Sequence, residues 1–235
     1  MGSTRLPGKV IKKINNHTII EIILNRLSQS LKLNEIIVAT SDDPKNDLLE
    51  KHIQSLGYPC ERGSENDVLS RFYDIAEKHN IDIIVRITGD CPFIDSSIVD
   101  QVISKFISED HHYVSNVNPP SYPDGLDVEV FDFNSLQDAN NQSIDSYERE
   151  HVTPFIKKGL NNKNSNLSYH NDLSHMRWTL DEKEDFEVIK NVFDYFYPDI
   201  LFPWSKILEL SKDQPEIFSA NQHLSRNETE HMGKG

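Results

Sequence analysis

The sequence has little cysteine and no long apolar segment. Cys60 and Cys91 are its two cysteines among 235 residues, and neither belongs to a paired C-x-x-C, so the sequence indicates neither a disulfide framework nor a cysteine-ligated zinc site. No apolar run approaches the roughly 18 residues of a membrane-spanning helix, and the N-terminus lacks the apolar region of a signal peptide. These absences predict a cytoplasmic protein that does not associate with membranes.

Basic residues are also scarce relative to acidic ones. The 24 Lys and Arg residues stand against 38 Asp and Glu, giving a formal charge of −14, so no basic field is available to hold a nucleic-acid backbone. A small polyphosphate is still compatible with this charge, because a few cations and a metal ion can be concentrated at one site. The composition therefore disfavours nucleic acid as a partner and allows a nucleotide.

Segments typical of helices and of strands alternate along the chain. The length suits one large domain, which we place at 1–224, with a flexible tail or linker at 225–235. Residues 81–88 form a nearly continuous apolar run, as expected for a central strand of a parallel sheet. The pattern predicts an open, mostly parallel three-layer α/β/α sandwich. The predicted helices cover 18–30, 44–57, 67–80, 96–108, 146–160, 184–197 and 204–210, and the predicted strands cover 35–40, 81–88, 113–117, 126–133, 167–170 and 176–180.

The opening segment, MGSTRLPGK, has the composition of a phosphate-binding loop. Gly2 and Gly8 would let backbone N–H groups approach phosphates, and Arg5 and Lys9 would neutralise them. The segment is not a Walker A loop, because the glycine spacing is one residue too long and Val10 stands where that loop needs Ser or Thr. From composition alone, a flexible basic N-terminal segment fits these residues equally well.

Two aspartates are candidate ligands of a metal ion. Asp90 follows the apolar run 81–88, at the edge where open α/β sheets bind ligands, although an aspartate that caps the next helix would stand there too. Asp181 precedes Glu184 by three residues, and this spacing by itself predicts a helix N-cap in a capping-box arrangement. Mg²⁺ commonly takes one or two carboxylates together with phosphate oxygens and water, so these two aspartates would suffice.

Other polar side chains fit either a site or the surface. Asp127 and Glu129 alternate on a predicted strand, so both face the same way, toward solvent or toward a cleft. Arg149 and His151 are compatible with a surface ion pair and a structural histidine as well as with ligand binding. Arg71 and Arg86 could bind a nucleotide or an acceptor carboxylate, or pair with acidic neighbours.

The motifs that contain these residues resemble those of the sugar cytidylyltransferases, including the KDO-type CMP-sugar synthetases and the spore-coat-polysaccharide branch. GSTRLPGKV resembles the signature that opens the family. The resemblance continues in RGSENDVLSRF, VRITGDCPFID, YPDGLDVEVF, REHVTPFI and RWTLDEKEDFEVI, which span most of the chain and point to the spore-coat branch. It implies a nucleotide-diphospho-sugar transferase-like fold. It also implies an Mg²⁺-dependent, homodimeric enzyme that transfers CMP from CTP to a 2-keto-3-deoxy sugar acid and releases pyrophosphate, for the synthesis of surface polysaccharide.

The resemblance assigns a role to each candidate. Arg5, Lys9 and Asp90 are implied to be catalytic, and Asp90 and Asp181 to bind the Mg²⁺ ion. For Asp181, the resemblance of its motif, TLDEKED, to a family motif is what makes it a candidate metal ligand. The residues implied to contact the acceptor are Asp127, Glu129, Arg149 and His151. Those implied to contact the nucleotide are Gly2, Ser3, Thr4, Arg5, Lys9, Ser64, Asp67, Thr88 and Gly89.

Two other hypotheses stay open. A glycosyltransferase of the same fold would need an Asp-x-Asp motif at a strand end, and the one candidate segment, 172–174, does not match it. The other hypothesis is an inactive truncated paralogue that serves as a binding or structural protein. Family members carry a hydrophobic strand before the GSTRLPGK loop, whereas this sequence begins at Met1 next to it, so we expect either an upstream extension or a damaged copy. The C-terminal EHMGKG resembles the junction to an aminotransferase-like domain in some relatives.

Overall fold

The computed structural model describes residues 5–109, 111–159 and 163–226, and helices alternate with strands along them, so the predicted α/β class is confirmed. Within these ranges no helix has the length and hydrophobicity that crossing a bilayer requires. The helices are α1 Ile19–Leu27, α2 Asp47–Ser55, α3 Val68–Lys78, α4 Ser96–Ser108, α5 Phe133–Gln142, α6 Ser146–His151, α7 Pro154–Gly159, α8 Lys183–Phe196 and α9 Trp204–Asp213, with 3₁₀ turns at Lys9–Ile11, Pro44–Asn46 and Pro215–Asn221. The strands are β1 Lys13–Ile14, β2 His17–Thr18, β3 Val38–Ser41, β4 Cys60–Gly63, β5 Ile83–Arg86, β6 Tyr113–Ser115, β7 Glu129–Asp132 and β8 Asn164–Asn166.

The strands pair in three groups among the described residues. β1 and β2 form a short antiparallel ladder, and β3 pairs with β4 in parallel. The largest group has the order β5-β7-β6-β8, in which β7 runs antiparallel to both neighbours and β8 runs parallel to β6. β5 thus lies at an edge of its group, where Ile83 is 38% exposed, and the prediction of a central strand is wrong for this part of the chain. An apolar run indicates that the side chains of a strand are buried, whereas the backbone partners of the strand decide whether it lies at the edge or in the centre of a sheet.

Several helices and strands differ from those predicted from the sequence. β4 was not expected because its sequence, CERG, has no apolar alternation, yet its backbone forms a parallel ladder with β3. Helix α5 begins directly after β7, since the Asp132 side chain accepts a hydrogen bond from the Ser135 N–H and caps it. The predicted helix 146–160 is two helices, interrupted at Val152, whose φ is 69°.

Two predicted strands near the C-terminal half take another form. The strand expected at 167–170 lies three residues earlier, in β8. Residues 176–180 are not part of a named strand and pair through a single bridge between Arg177 and Asp124. This bridge holds the 176–180 segment beside the loop that precedes β7.

The main hydrophobic core anchors the segments that carry the candidate residues. Trp178 and Phe93 are almost completely buried, and their rings meet edge to face with centroids 6.2 Å apart. Phe93 also stacks on Phe193 of α8. Burial of one such aromatic side chain contributes about 1.5–3 kcal/mol, so these contacts hold the chain after Asp90 against the chain before Asp181.

Candidate functional site

Two segments that are distant in sequence meet at a cavity of about 600 Å³. The Asp90 carbonyl oxygen accepts hydrogen bonds from the Leu180 N–H at 2.8 Å and from the Thr179 hydroxyl at 3.2 Å. The backbone after β5 therefore runs directly against the backbone that leads to α8. This contact brings Asp90 and Asp181, both of which line the cavity, to the same point.

The side chain of Lys9 joins the two aspartates. Its Nζ lies 2.8 Å from Asp181 Oδ1, 3.2 Å from Asp90 Oδ2 and 2.8 Å from the Leu180 carbonyl oxygen. Burial lowers the pKa of Lys9, but the Asp90 and Asp181 carboxylates raise it by more, so the net pKa is above the ordinary value. Burial raises the pKa of Asp90, and Lys9 and the Thr88 hydroxyl more than offset this. The site thus holds a charged ammonium between charged carboxylates.

The position of the Lys9 ammonium is suited to a metal ion. Two carboxylate oxygens and one carbonyl oxygen surround a cation there, and oxygen ligands are those that Mg²⁺ prefers. In the part of the chain that the structure describes, no third His, Cys, Asp or Glu completes a metal cluster. Asp90 and Asp181 would therefore hold Mg²⁺ together with phosphate oxygens and water, and the residues present fit such an ion.

A buried ion pair fixes the backbone at Asp181. The Asp185 carboxylate accepts two hydrogen bonds from Arg177, at 2.8 and 2.7 Å, and two from the backbone N–H groups of Asp181 and Glu182. Glu182 is the N-cap of α8 and Asp185 its third residue, so the expected capping box of Asp181 and Glu184 lies one residue further on. Asp181 consequently directs its carboxylate to Lys9 rather than to the helix.

Arg5 extends the positive charge of the N-terminal segment. Its guanidinium lies 3.6 Å from the Asp181 carboxylate and donates to Glu182 at 3.3 Å. The Arg5 side chain is 46% exposed, so it can turn toward a ligand at little cost. The two predicted catalytic cations, Arg5 and Lys9, therefore converge on Asp181.

A second acidic group lines the cavity. Both carboxylate oxygens of Asp127 accept hydrogen bonds from Arg226 Nη2, each at 2.9 Å. Asp124 is 7% exposed, and no hydrogen-bond donor in the described residues reaches its Oδ2; Arg177 lies 3.8 Å from that atom. Burial, and after it the charge of Asp127, raises the pKa of Asp124 to about 7. Sequence reasoning missed Asp124, which reads as a turn residue, and Arg226, which falls in the predicted tail.

A third group is centred on Glu129, whose two carboxylate oxygens are occupied. Oε1 accepts hydrogen bonds from the Tyr113 hydroxyl at 2.6 Å and the Thr153 hydroxyl at 2.8 Å, and Lys157 Nζ lies 3.0 Å away. Oε2 accepts from Arg86 Nη1. Burial raises the pKa of Glu129. The charges of Arg86 and then of Lys157 lower it by more, so the net pKa is about 2. Lys157 carried no sequence signal beyond its charge.

The structure brings some predicted site residues to the cavity and not others. Asp67 instead pairs with Arg149 at 2.7 Å and caps α3, and the Ser64 hydroxyl accepts from the Asp67 N–H. A Cβ at Gly89 would lie 3.3 Å from the side chain of Val10. Gly2, Ser3 and Thr4 lie outside the described residues. The predicted residues that line the cavity are Thr88, Asp90, Asp127, Glu129, His151 and Asp181.

The cavity also contains a thiol, which is not suited to act as a nucleophile. Cys91 is 2% exposed, and burial, followed by the charge of Asp90, raises its pKa well above the ordinary value. The thiol therefore stays protonated near neutral pH. The arrangement favours chemistry that depends on positioning and charge neutralisation rather than on a covalent intermediate.

Comparison with known proteins agrees with these features. A family model described as cytidylyltransferase matches residues 1–224. The chain is 33% identical over 207 residues to the spore coat polysaccharide biosynthesis protein SpsF of Bacillus subtilis, covering 82% of each chain. It is 31% identical over 111 residues to 3-deoxy-manno-octulosonate cytidylyltransferase 2 of Hydrogenovibrio crunogenus, covering 47% of this chain and 45% of that one. The solved structure of a cytidylyltransferase from Leptospira borgpetersenii matches with a TM-score of 0.88 at 33% identity, covering 93% and 92% of the two chains.

Proposed function

Since the chain belongs to the cytidylyltransferase family, we propose that it transfers CMP from CTP to a sugar acid of the 2-keto-3-deoxy type and releases pyrophosphate. Family membership confirms the resemblance drawn from the sequence motifs. It also favours cytidylyl transfer over the glycosyltransferase alternative. The observation that carries the proposal is the convergence of Asp90, Asp181 and Lys9 at one wall of the cavity.

The proposed reaction is an in-line displacement. A hydroxyl oxygen of the acceptor forms a bond to the α-phosphorus of CTP and gives up its proton to solvent. The bond from that phosphorus to the oxygen that bridges the α- and β-phosphates breaks, so that pyrophosphate leaves. Arg5 and Lys9 would turn from the carboxylates to the triphosphate and neutralise its charge. Mg²⁺ bound by Asp90 and Asp181 would add charge stabilisation at the phosphate oxygens. Asp185 and Arg177 would keep Asp181 in place.

The acceptor and the setting of the reaction also belong to the proposal. The names of two relatives refer to 3-deoxy-manno-octulosonate and to spore coat polysaccharide, which supports a sugar-acid acceptor and a role in the synthesis of surface polysaccharide. We place the enzyme in the cytoplasm as a homodimer, away from membranes and nucleic acid. The low cysteine content and the charge of −14 support this setting.

The test is pyrophosphate release by the purified chain with CTP, Mg²⁺ and a panel of sugar acids. We expect release that needs both substrates and that falls by at least about 100-fold in Asp90→Asn, because the metal site then loses one of two carboxylates. Asp172→Asn is the matched control, since Asp172 is exposed and hydrogen-bonds only to Ser174 in the described residues. Absence of release, together with no rise of Tm on addition of CTP, would favour the inactive paralogue.

A further inference from the structure

We propose that Arg86 and Lys157 bind the carboxylate of the acceptor, and that Glu129 holds these two cations in position. The inference rests on the proposed cytidylyl transfer to a sugar acid. It assigns Glu129, expected from the sequence to contact the acceptor, to a positioning role instead. All three side chains line the cavity.

Glu129 has no vacant position for an acceptor hydroxyl. Oε1 accepts from the Tyr113 and Thr153 hydroxyls and faces the Lys157 ammonium, while Oε2 accepts from Arg86. Glu129 is 5% exposed. A buried carboxylate with this many donors is satisfied, so the groups that remain available to a ligand are its cationic partners.

Glu129 uses only some of the hydrogen-bond donors of Arg86 and Lys157. A guanidinium carries five N–H donors, and Arg86 directs one nitrogen, Nη1, to Glu129. No other hydrogen bond from the Arg86 side chain is present in the described ranges. Lys157 lies 3.0 Å from Glu129 and 5.7 Å from the centre of the Tyr113 ring. The two cations therefore keep donors for a ligand, and the planar fork of an arginine matches a carboxylate.

The net charge of the Glu129 group also favours an anion. One carboxylate with two cations leaves the Glu129 group with a net charge of plus one. Elsewhere on the cavity wall, Asp127 compensates the charge of Arg226, and Asp124 lies next to this pair. The cation at that wall is already compensated, so an anion is attracted instead to the Glu129 group, which has a net positive charge. A sugar acid would thus bind with its carboxylate at Arg86 and Lys157 rather than in the reverse orientation.

The nucleotide does not account for this group. The triphosphate would bind where Lys9 and Arg5 meet Asp90 and Asp181, whereas Arg86 and Lys157 pair with a different carboxylate. Two cationic groups thus lie at different carboxylates, one at Asp90 and Asp181 and the other at Glu129. Two substrates, a triphosphate and a carboxylate, match two such groups.

The experiment measures pyrophosphate release with 3-deoxy-manno-octulosonate and related sugar acids, each compared with its methyl ester. We expect Arg86→Gln and Lys157→Gln to raise the KM for the acid about 10- to 100-fold, because each removes a charge-assisted contact. The KM for CTP should change less than about 2-fold, and the ester should react poorly with every variant. Lys158→Gln is the matched control, since Lys158 is the next residue, 71% exposed and paired with Glu148.

Further variants separate positioning from structure. Glu129→Gln should raise the KM for the acid, because the two cations lose their counterion, and should leave kcat within about 5-fold. Arg86→Lys should recover part of the affinity, because it restores the charge without the fork. Should Glu129→Gln fail to fold, Lys157→Gln still decides, because Glu129 then keeps its hydrogen bonds from Tyr113, Thr153 and Arg86.

Several outcomes would overturn the inference. One is an acid KM that does not change in Arg86→Gln and Lys157→Gln, and another is a selective rise of the KM for CTP. A methyl ester that reacts as well as its acid would also overturn it. If CTP raises the Tm but no sugar acid binds or reacts, the carboxylate subsite is refuted while nucleotide binding stands. If CTP itself fails to bind, the proposed function fails first.

Discussion

Replacement of Lys9 by methionine tests whether its ammonium occupies the position of a metal ion. The substitution keeps the length of the side chain and removes the charge that lies between Asp90 and Asp181. Without the ammonium, two carboxylates face each other with Arg5 as the nearest remaining cation. We expect a protein that is less stable without metal and that binds a divalent ion more tightly.

The magnitude follows from the burial of the three groups. Removing one partner of a buried charge pair costs about 3–5 kcal/mol. The side chains of Lys9, Asp90 and Asp181 are 15%, 27% and 7% exposed, so we take the lower figure of about 3 kcal/mol. In a chain of this size 1 kcal/mol shifts Tm by roughly 2–4 °C, which predicts a loss of about 6–12 °C in the presence of a chelator.

The same free energy of about 3 kcal/mol also sets the expected gain in metal affinity. In the wild type a divalent ion must first displace the Lys9 ammonium, which costs at most about 3 kcal/mol, or about 100-fold in Kd. Mn²⁺ titration followed by electron paramagnetic resonance, without nucleotide, measures this difference directly. Saturating Mn²⁺ should also restore more of the Tm in Lys9→Met than in the wild type.

Two controls assign the effect to the site. Lys12→Met removes a nearby cation whose Nζ lies over the Phe186 ring, 5.4 Å from its centre, and should leave Mn²⁺ binding unchanged. Lys9→Met combined with Asp181→Asn should lose the gain. The reasoning is refuted if Lys9→Met binds Mn²⁺ no more tightly than the wild type, within about 2-fold, while its Tm in chelator is also unchanged.

Three further predictions concern stability. The pKa of Asp124 is raised to about 7, so the stability that its protonated carboxyl contributes is present at low pH and is lost as the pH rises through 7. Urea unfolding should therefore show that the free energy of unfolding of the wild type, relative to that of Asp124→Asn, falls by roughly 2–3 kcal/mol from pH 5 to pH 8. A difference that does not depend on pH would contradict this. In the same assay, Asp185→Asn should lower the free energy of unfolding by about 3–5 kcal/mol, because Arg177 loses its buried counterion, and it should also weaken Mn²⁺ binding. A decrease below about 1 kcal/mol would contradict this prediction. Gly125→Ala should lower the Tm by at least about 5 °C, because φ is +102° and a Cβ would lie 2.7 Å from the backbone of Trp178; an unchanged Tm by calorimetry would refute this.

Much of the secondary structure could be predicted from the sequence, because it depends on neighbours within one or two turns. The apolar stripe of α1 and its Thr18 capping box are local features, and so is the α8 helix that follows Asp181. The strand β4 could not be predicted, because CERG has no strand pattern and its conformation depends on the backbone of β3. The single helix predicted at 146–160 failed for a different reason, because the prediction did not take account of Pro154, which begins α7 two residues after the break at Val152.

The residue types around the cavity could also be found from the sequence, but their partners could not. The motifs that contain Asp90, Asp181 and Lys9 are visible as short strings, and so is the α/β alternation. Lys9 and Asp181 are 172 residues apart in sequence, and Asp127 and Arg226 are 99 apart. No local pattern encodes such distances.

Tertiary packing therefore decided what each charged residue does. Glu129 and Arg149 have similar standing in the sequence motifs, yet the fold surrounds Glu129 with two cations at the cavity and pairs Arg149 with Asp67 away from it. Local propensities and periodicity are short-range, so they specify helices, strands and the faces of side chains. The counterion of a buried charge is specified by whichever distant segment packs against it, because an unpaired charge in the interior is too costly to remain.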